Sequence, residues 1–391
     1  MKTSFLVESG PPPSAVAGRI REFILHTVPD EFGLIQWPSA TADTRFNEIA
    51  LELFAAQFSA NRPFRAFCVA CDATPETVSD WRSIPAVPTA AFKELDLTCL
   101  SPAARTTVFH SSGTSEQRLG RNFHNIDSLT LYAASLQPWF AAKVLAVSTH
   151  RNSPSQYQGS NSTTFLALTP PRAAVPHSSL VYMFDCLVRT FGTQDSAFVG
   201  RLDPRGNWEL HFEFLSLAVG QLLRIHQPVT LLGTAFNFVH LLDYLSENNI
   251  QYRLPAGSCA VETGGYKGRS REMSKTALHH LITRHLGIGP SQIFSEYGMC
   301  ELGSQAYDQP RDQDRRFQFP PWARIQIVSP ETGKTVPVGQ PGLIRVCDLA
   351  NIESVLRVQT GDLGVAFADD RFELLGRAPA QEPRGCSLFA V

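Results

Sequence analysis

Gln292-Ile293-Phe294-Ser295-Glu296-Tyr297-Gly298-Met299-Cys300-Glu301 holds the key to the fold. Its first half is apolar and aromatic, the composition of a buried strand. Gly298 breaks the run, and acids stand on both sides of the break. In sheets that alternate with helices, ligands collect at the carboxyl ends of strands. There the Tyr297 ring can stack on a purine, and Glu301 can hold Mg2+ together with phosphate oxygens. An ordinary strand-to-helix turn with solvated acids has the same composition.

Working outward, the chain from residue 123 to residue 307 alternates between two patterns. Residues 143–147, 164–168 and 230–232 read as buried strands. Residues 212–226 place Phe214, Leu217, Ala218, Gln221, Leu222 and Ile225 at helical intervals, and Val239, Leu242 and Leu245 mark a second helix. Strands alternating with helices predict a layered α/β core over residues 106–322. Upstream, Phe46, Ile49, Ala50, Leu53, Phe54 and Phe58 fit one helix between residues 45 and 65, so region 1–105 reads as mostly helical. From Arg324 onward, short strands are separated by turns such as Glu331-Thr332-Gly333 and Asp369-Asp370. These predict a small antiparallel β unit over 323–375, followed by a tail, 376–391, that carries Cys386.

Two further motifs have chemical content. His110-Ser111-Ser112-Gly113-Thr114-Ser115 follows a strand candidate at 106–109. Hydroxyls and bare backbone N–H groups around a glycine can surround phosphate oxygens. A plain Ser-rich turn reads the same way, and the Gly-Lys-Ser/Thr ending of a Walker A loop is absent. Thr360-Gly361-Asp362-Leu363-Gly364 fixes an acid in a glycine-flanked turn, where its two oxygens can accept both ribose hydroxyls. A hairpin turn is the plainer alternative.

Composition excludes several classes. Of 391 residues, 43% are hydrophobic and 18% charged, with a formal net charge of −2. That balance has no electrostatic footprint for nucleic acid. No apolar run reaches the ~18 residues of a membrane span. The N-terminus, with three prolines at residues 11–13, lacks the apolar region of a secretory signal, so a cytoplasmic location is expected. Eight cysteines are scattered, and Cys68 and Cys71 form a single C-x-x-C without the second pair of a zinc ribbon. Their apolar setting predicts two buried core thiols.

Taken together and in this order, the three motifs resemble the adenylate-forming superfamily of acyl-CoA synthetases and nonribosomal adenylation domains. That superfamily carries a Ser/Thr/Gly phosphate loop, then Tyr-Gly-x-Thr-Glu, then Thr-Gly-Asp. Residues 88–94 (PTAAFKE), 262–271 (ETGGYKGRSR), 296–307 (EYGMCELGSQAY) and 384–388 (RGCSL) are similar to one branch, the acyl-protein synthetases of LuxE type in bacterial fatty-acid reductase complexes. The resemblance implies the large N-terminal part of that α/β fold. It also implies ATP and Mg2+ as cofactors, and formation of an acyl-adenylate from a carboxylic acid. Under it Ser111, Ser112, Gly113, Thr114 and Ser115 bind the triphosphate, and Tyr297 and Gly298 lie at the adenine. Glu301 binds Mg2+, Asp362 binds ribose and Arg377 touches the nucleotide. Gly264 and Gly265 line the wall between the adenine and acyl pockets.

The sequence departs from the superfamily pattern at three points. No Lys follows the phosphate loop, so Arg118 or Arg121 must supply its charge. Cys300 stands where Thr is usual, and Pro379 stands near the place of an Asp expected after Gly376-Arg377. Only 29 residues follow Asp362, too few for the superfamily's mobile C-terminal domain, which is expected to be absent with its catalytic lysine. Cys386, beside Arg384, then becomes the expected first acyl acceptor, as in the branch resembled; a small buried hydrophobe is the alternative. An acyl-accepting reductase or carrier protein would be the partner. Residues 231–238 (LLGTAFNF) suggest an apolar acid, although such residues are as often core. Direct transfer to CoA, a carrier or an amine, and a non-catalytic nucleotide- or acyl-binding protein, are the competing readings.

Overall fold

The computed structural model describes residues 12–28, 39–111, 118–146, 163–264, 273–308 and 315–378. In chain order its strands are β1 (Val87–Pro88), β2 (Thr107–His110), β3 (Arg121–His124), β4 (Thr164–Ala167), β5 (Ala197–Phe198), β6 (Gly200–Leu202), β7 (Trp208–Leu210), β8 (Val229–Thr234), β9 (Cys259–Thr263), β10 (Ile293–Tyr297), β11 (Ala306–Asp308), β12 (Phe317–Gln318), β13 (Ala323–Val328), β14 (Pro341–Asp348), β15 (Arg357–Ala366) and β16 (Arg371–Arg377). The α-helices are α1 (Pro13–Thr27), α2 (Ser39–Ala60), α3 (Arg62–Ala70), α4 (Ala91–Glu94), α5 (Ile126–Phe140), α6 (Ser179–Phe191), α7 (Phe212–Arg224), α8 (Ala235–Glu247) and α9 (Lys275–Leu286).

Twelve strands join in one sheet, in the order β13-β14-β15-β16-β12-β11-β10-β9-β8-β4-β5, with β1 paired to β15. From β5 to β10 every pairing is parallel. From β10 onward every pairing along the path is antiparallel. The parallel half is buried on both faces, as such sheets are. Phe165 and Ala167 pack into one core while Leu166 and Leu168 pack into another, and Leu232 and Leu231 divide in the same way. The larger core takes in α1, α2, α5 and the antiparallel half; the smaller one lies under α7, α8 and α9.

Local chemistry sets the helix boundaries. Asn61 separates α2 from α3 and caps the latter, its Oδ1 accepting from Phe64 N at 3.1 Å. The apolar run at 45–65 therefore belongs to a helix that starts earlier, at Ser39, and stops at Ala60. Asn125 with Ser128 forms a capping box on α5, and Thr234 with Asn237 forms one on α8.

Two expectations are corrected. The strand expected at 143–147 is not formed by its described residues, 143–146: α5 runs straight into a π-helical turn, Ala141–Leu145. A short apolar run cannot distinguish a strand from a buried helical turn, and the helix starting at Ile126 settles it. Cys68 is buried, and burial pushes its thiol up to about 12. Cys71, however, is exposed, because it is the C-cap of α3 and lies past the helix's buried face. Residues 231–238 are β8 and the first turn of α8, with Leu231, Leu232 and Phe238 committed to the cores.

Candidate active site

The site is assembled where the parallel half of the sheet gives way to the antiparallel half. β10 is buried along its whole length and aligns Glu296 with Thr263 of β9 on one side and Tyr307 of β11 on the other. Tyr297 ends the strand. Its ring is held edge-on by Phe317, Phe319 and Phe372 at centroid distances of 6.1, 6.1 and 5.7 Å. Its hydroxyl donates to Asp362 Oδ2 at 2.9 Å. That bond brings two of the sequence motifs together across 65 residues. Asp362 is itself held by its N–H on Thr360 Oγ1 at 3.1 Å, while Thr360 Oγ1 donates to Ile344 O at 2.8 Å. Arg377, opposite Asp362 in the β15–β16 pairing, sets its Nε 3.6 Å from Oδ1 and leaves the rest of its side chain in solvent.

The phosphate-loop candidate is the far end of a hairpin. β2 and β3 pair from Thr107 with His124 to His110 with Arg121, and Ser111 with Gly120 continues the ladder. Ser111 N donates to Gly120 O at 2.9 Å, and Gly120 N donates to Ser111 Oγ at 2.8 Å. Ser112, Gly113, Thr114 and Ser115, like Gly265 and Cys386, lie outside the described residues. Gly264 is described and follows β9 directly, with φ 65°. A side chain at position 120 would strike Ser111 Oγ at 2.8 Å and approach Glu301 Oε1 to 3.4 Å. The hairpin stem at Gly120 thus lies against the Glu301 carboxylate, and this joins the third motif to the other two.

Glu301 sits in the turn after Gly298 and is buried. Asn122 of β3 donates to Cys300 O at 2.7 Å, and Asn351 donates to Glu301 O at 2.8 Å. Asp348 accepts from Gly303 N at 2.8 Å and Ser304 Oγ at 2.7 Å, fixing the backbone just beyond. These three residues position the acid, and no sequence motif singled them out. Burial pushes the Glu301 carboxyl above its ordinary range; a hydrogen bond with the Cys300 side chain and the charges of Arg377 and Lys93 oppose that rise. Among the described residues no group of three or more His, Cys, Asp or Glu gathers as a metal cage. One buried carboxylate beside the end of the β2–β3 hairpin suits Mg2+, which takes one or two carboxylates and draws its other oxygens from phosphate and water.

The two arginines proposed for the missing loop lysine differ in their surroundings. Arg121 is drawn to Asp96 at 2.7 Å, whose other oxygen takes Arg105 at 2.8 Å. Arg118 pairs with Glu94 at 3.2 Å, both side chains lying largely in solvent.

Behind Tyr297 lies a second buried acid pair. Glu262 accepts from Ser295 Oγ at 2.5 Å and faces His279 Nε2 at 3.4 Å and Lys275 Nζ at 4.0 Å. Burial would raise its carboxyl, but these partners outweigh that and hold it below its ordinary value. Glu296 accepts a short bond from Thr263 Oγ1. Burial pushes the Glu296 carboxyl up to about 7; the Thr263 bond opposes this and the charge of Glu262 adds to it.

Residues 205–390 match the model of the family described as acyl-protein synthetase, LuxE. That match is confined to the C-terminal part of the chain. Two curated relatives extend the likeness over the rest. The long-chain-fatty-acid–luciferin-component ligase of Aliivibrio fischeri is 20% identical over 95% of this chain and 93% of its own length. That of Vibrio harveyi is 20% identical over 96% and 93%. Among solved structures, an open form of 2-hydroxyisobutyryl-CoA ligase superposes with a TM-score of 0.61 at 14% identity, covering 87% of this chain and 76% of that one. Its postadenylation form gives 0.62 at 14% identity, over 87% and 68%. The fold is that of the adenylate-forming enzymes. Together with the acyl-protein synthetase match, it identifies a ligase of the acyl-activating kind. No helix among the described residues is long and apolar enough to cross a membrane.

Proposed function

We propose that this chain uses MgATP to convert a carboxylic acid to its acyl-adenylate and then carries the acyl group on Cys386 before passing it to a protein partner. The supporting observation is the convergence at one seam of the Ser111–Gly120 hairpin end, the buried Glu301 and the Tyr297–Asp362 pair. In the first step a carboxylate oxygen attacks the α-phosphorus and the bond to the β-phosphate oxygen breaks, releasing pyrophosphate. Asp362 orients the ribose, and Tyr297 fixes Asp362. The hairpin hydroxyls and N–H groups hold phosphate oxygens, and Glu301 holds the Mg2+ whose charge offsets that of the triphosphate. In the second step the Cys386 thiolate attacks the acyl carbon, a thioester forms and AMP leaves.

An apolar, fatty acid is the substrate class suggested by the names of the two curated relatives. Residues 231–238 lend it little support, since Leu231, Leu232, Ala235 and Phe238 fill the core and only Phe236 is half-buried, its ring against His240. Acid-dependent exchange of pyrophosphate into ATP, run against acids of increasing chain length, tests the first step. Incubation with ATP and a labelled acid should mark the protein. Cys386→Ala should retain exchange and lose the mark. A label surviving in that variant would assign the acceptor elsewhere, and acyl-CoA formed with no protein adduct would favour direct transfer to CoA. Absence of exchange with every acid would leave a binding protein.

A further inference from the structure

We infer that the outer face of α7 is a self-association surface, on which a second copy of this chain packs with its own α7 running in the opposite direction. The inference is independent of the adenylation reading above.

α7 is apolar on two sides. Leu215, Val219 and Leu222 fill the smaller core. The other side carries Phe214, Leu217 and the C-cap Ile225, which leave 40%, 72% and 55% of their surfaces exposed. Residues three and four apart share a helix face, so these three form one stripe with Gln221. A lone exposed apolar side chain needs no explanation, whereas a contiguous patch marks a contact.

Two further observations point to what covers the stripe. The first is Gly220, in the interior of the helix. Glycine weakens a helix interior, and a packing reason usually accounts for one found there. Among the described residues nothing packs on Gly220: a Cβ added to it would meet only Arg224 Nη1, at 3.8 Å. The notch lies open beside the stripe. The second observation is charge. Glu213 and Arg224 are exposed at opposite ends of this face, and among the described residues neither has an ion-pair partner. The pair 213 and 224 and the pair 217 and 220 share one midpoint, between residues 218 and 219. A half-turn about that point sets Glu213 of each copy against Arg224 of the other and seats each Leu217 on the other copy's Gly220. Phe214 then approaches the other copy's Ile225. A face that matches its own reverse in both charge and shape fits a two-fold contact, in which one patch serves both copies. That self-complementarity selects a second copy over any other occupant. α7 is only about 20 Å long, so the contact is small and of the weak, reversible kind.

Sedimentation equilibrium of the full-length protein over about 1 to 100 µM tests the pairing. A reversible monomer–dimer equilibrium is expected. Leu217→Ser should weaken it by about 30-fold or more. Glu213→Arg and Arg224→Glu should each weaken it by about tenfold, since each alone sets like charges together twice. An equimolar mixture of those two variants should regain the wild-type affinity, because the mixed pair has two attractive contacts. Melting temperatures equal to that of the wild type, measured at a dilution where all are monomeric, verify that the variants stay folded. A dimer indifferent to Leu217→Ser, or a mixture that does not recover, would overturn the inference. So would a wild-type chain that stays monomeric throughout, and the stripe would then belong to a different protein or to a lipid surface.

Discussion

Glu301 combines burial, a backbone pinned from two sides and the close approach of the hairpin stem at Gly120. Glu301→Gln keeps the shape and removes the charge. Pyrophosphate exchange should fall by about 100- to 1000-fold, the range seen when one preorganised electrostatic group is lost, with little change in melting temperature. A fall of less than tenfold would remove Glu301 from the metal site. Glu296 makes a different prediction. Its carboxyl titrates at about 7 in the folded chain against 4.5 when free, so the folded state keeps a proton that the unfolded state gives up. Its contribution to stability is full below about 4.5 and is lost as pH rises through about 7. Glu296→Gln should flatten the decline of the urea midpoint across that window. Glu353 and Asp348, also raised by burial to about 7 and about 6, leave a residual slope. An unchanged slope in the variant would mean that Glu296 holds no such proton. Tyr297, Glu301 and Asp362 could be singled out from the sequence because each sits in a glycine-marked motif, and the structure brings Tyr297 and Asp362 into contact. Asn122, Asn351 and Asp348 could not, because their work is done through backbone groups distant in sequence, and nothing local marks an Asn whose partner is 178 residues away.

At the scale of elements, the β2–β3 hairpin is more than a support for its loop. Asn122 sits on β3 opposite Phe109, and its amide reaches Cys300 O, so the hairpin and the acid-bearing turn move as one body. Asn122→Ala leaves a buried carbonyl without its donor, which costs about 1–3 kcal/mol. Exchange activity should suffer beyond what that loss of stability explains, with KM for ATP rising; a melting shift with unaltered KM would reduce Asn122 to a packing role. Periodicity read most of the neighbouring elements correctly, including the helices Phe212–Arg224 and Ala235–Glu247. It failed at the strand expected over 143–147, where the described residues 143–146 continue a helix instead. The docking of α4 through β1 was equally hidden, since Val87–Pro88 is too short a strand to announce its partner.

For the whole molecule, the proposed nucleotide site draws on both halves of the sheet, so a ligand bound there would be linked to the fold. Saturating MgATP, at about 100 times its dissociation constant, should stabilise the chain by about 2.7 kcal/mol, visible as a raised melting temperature. Asp362→Asn should reduce that shift far more than it lowers the melting temperature of the unliganded protein. Equal shifts in the two proteins would exclude Asp362 from the ribose contact. The sequence distinguishes an alternating α/β core from a β-rich C-terminal stretch. It does not reveal that the two share one sheet, because the junction strands β11 and β12 are three and two residues long. β16 completes the join, pairing with β15 on one side and β12 on the other. During synthesis, then, the ribosome lays down both halves of the sheet before the strand that connects them. Until residues 371–377 have emerged, the growing chain holds two open sheet edges, on β12 and on β15. That interval is when a chaperone would have most to protect.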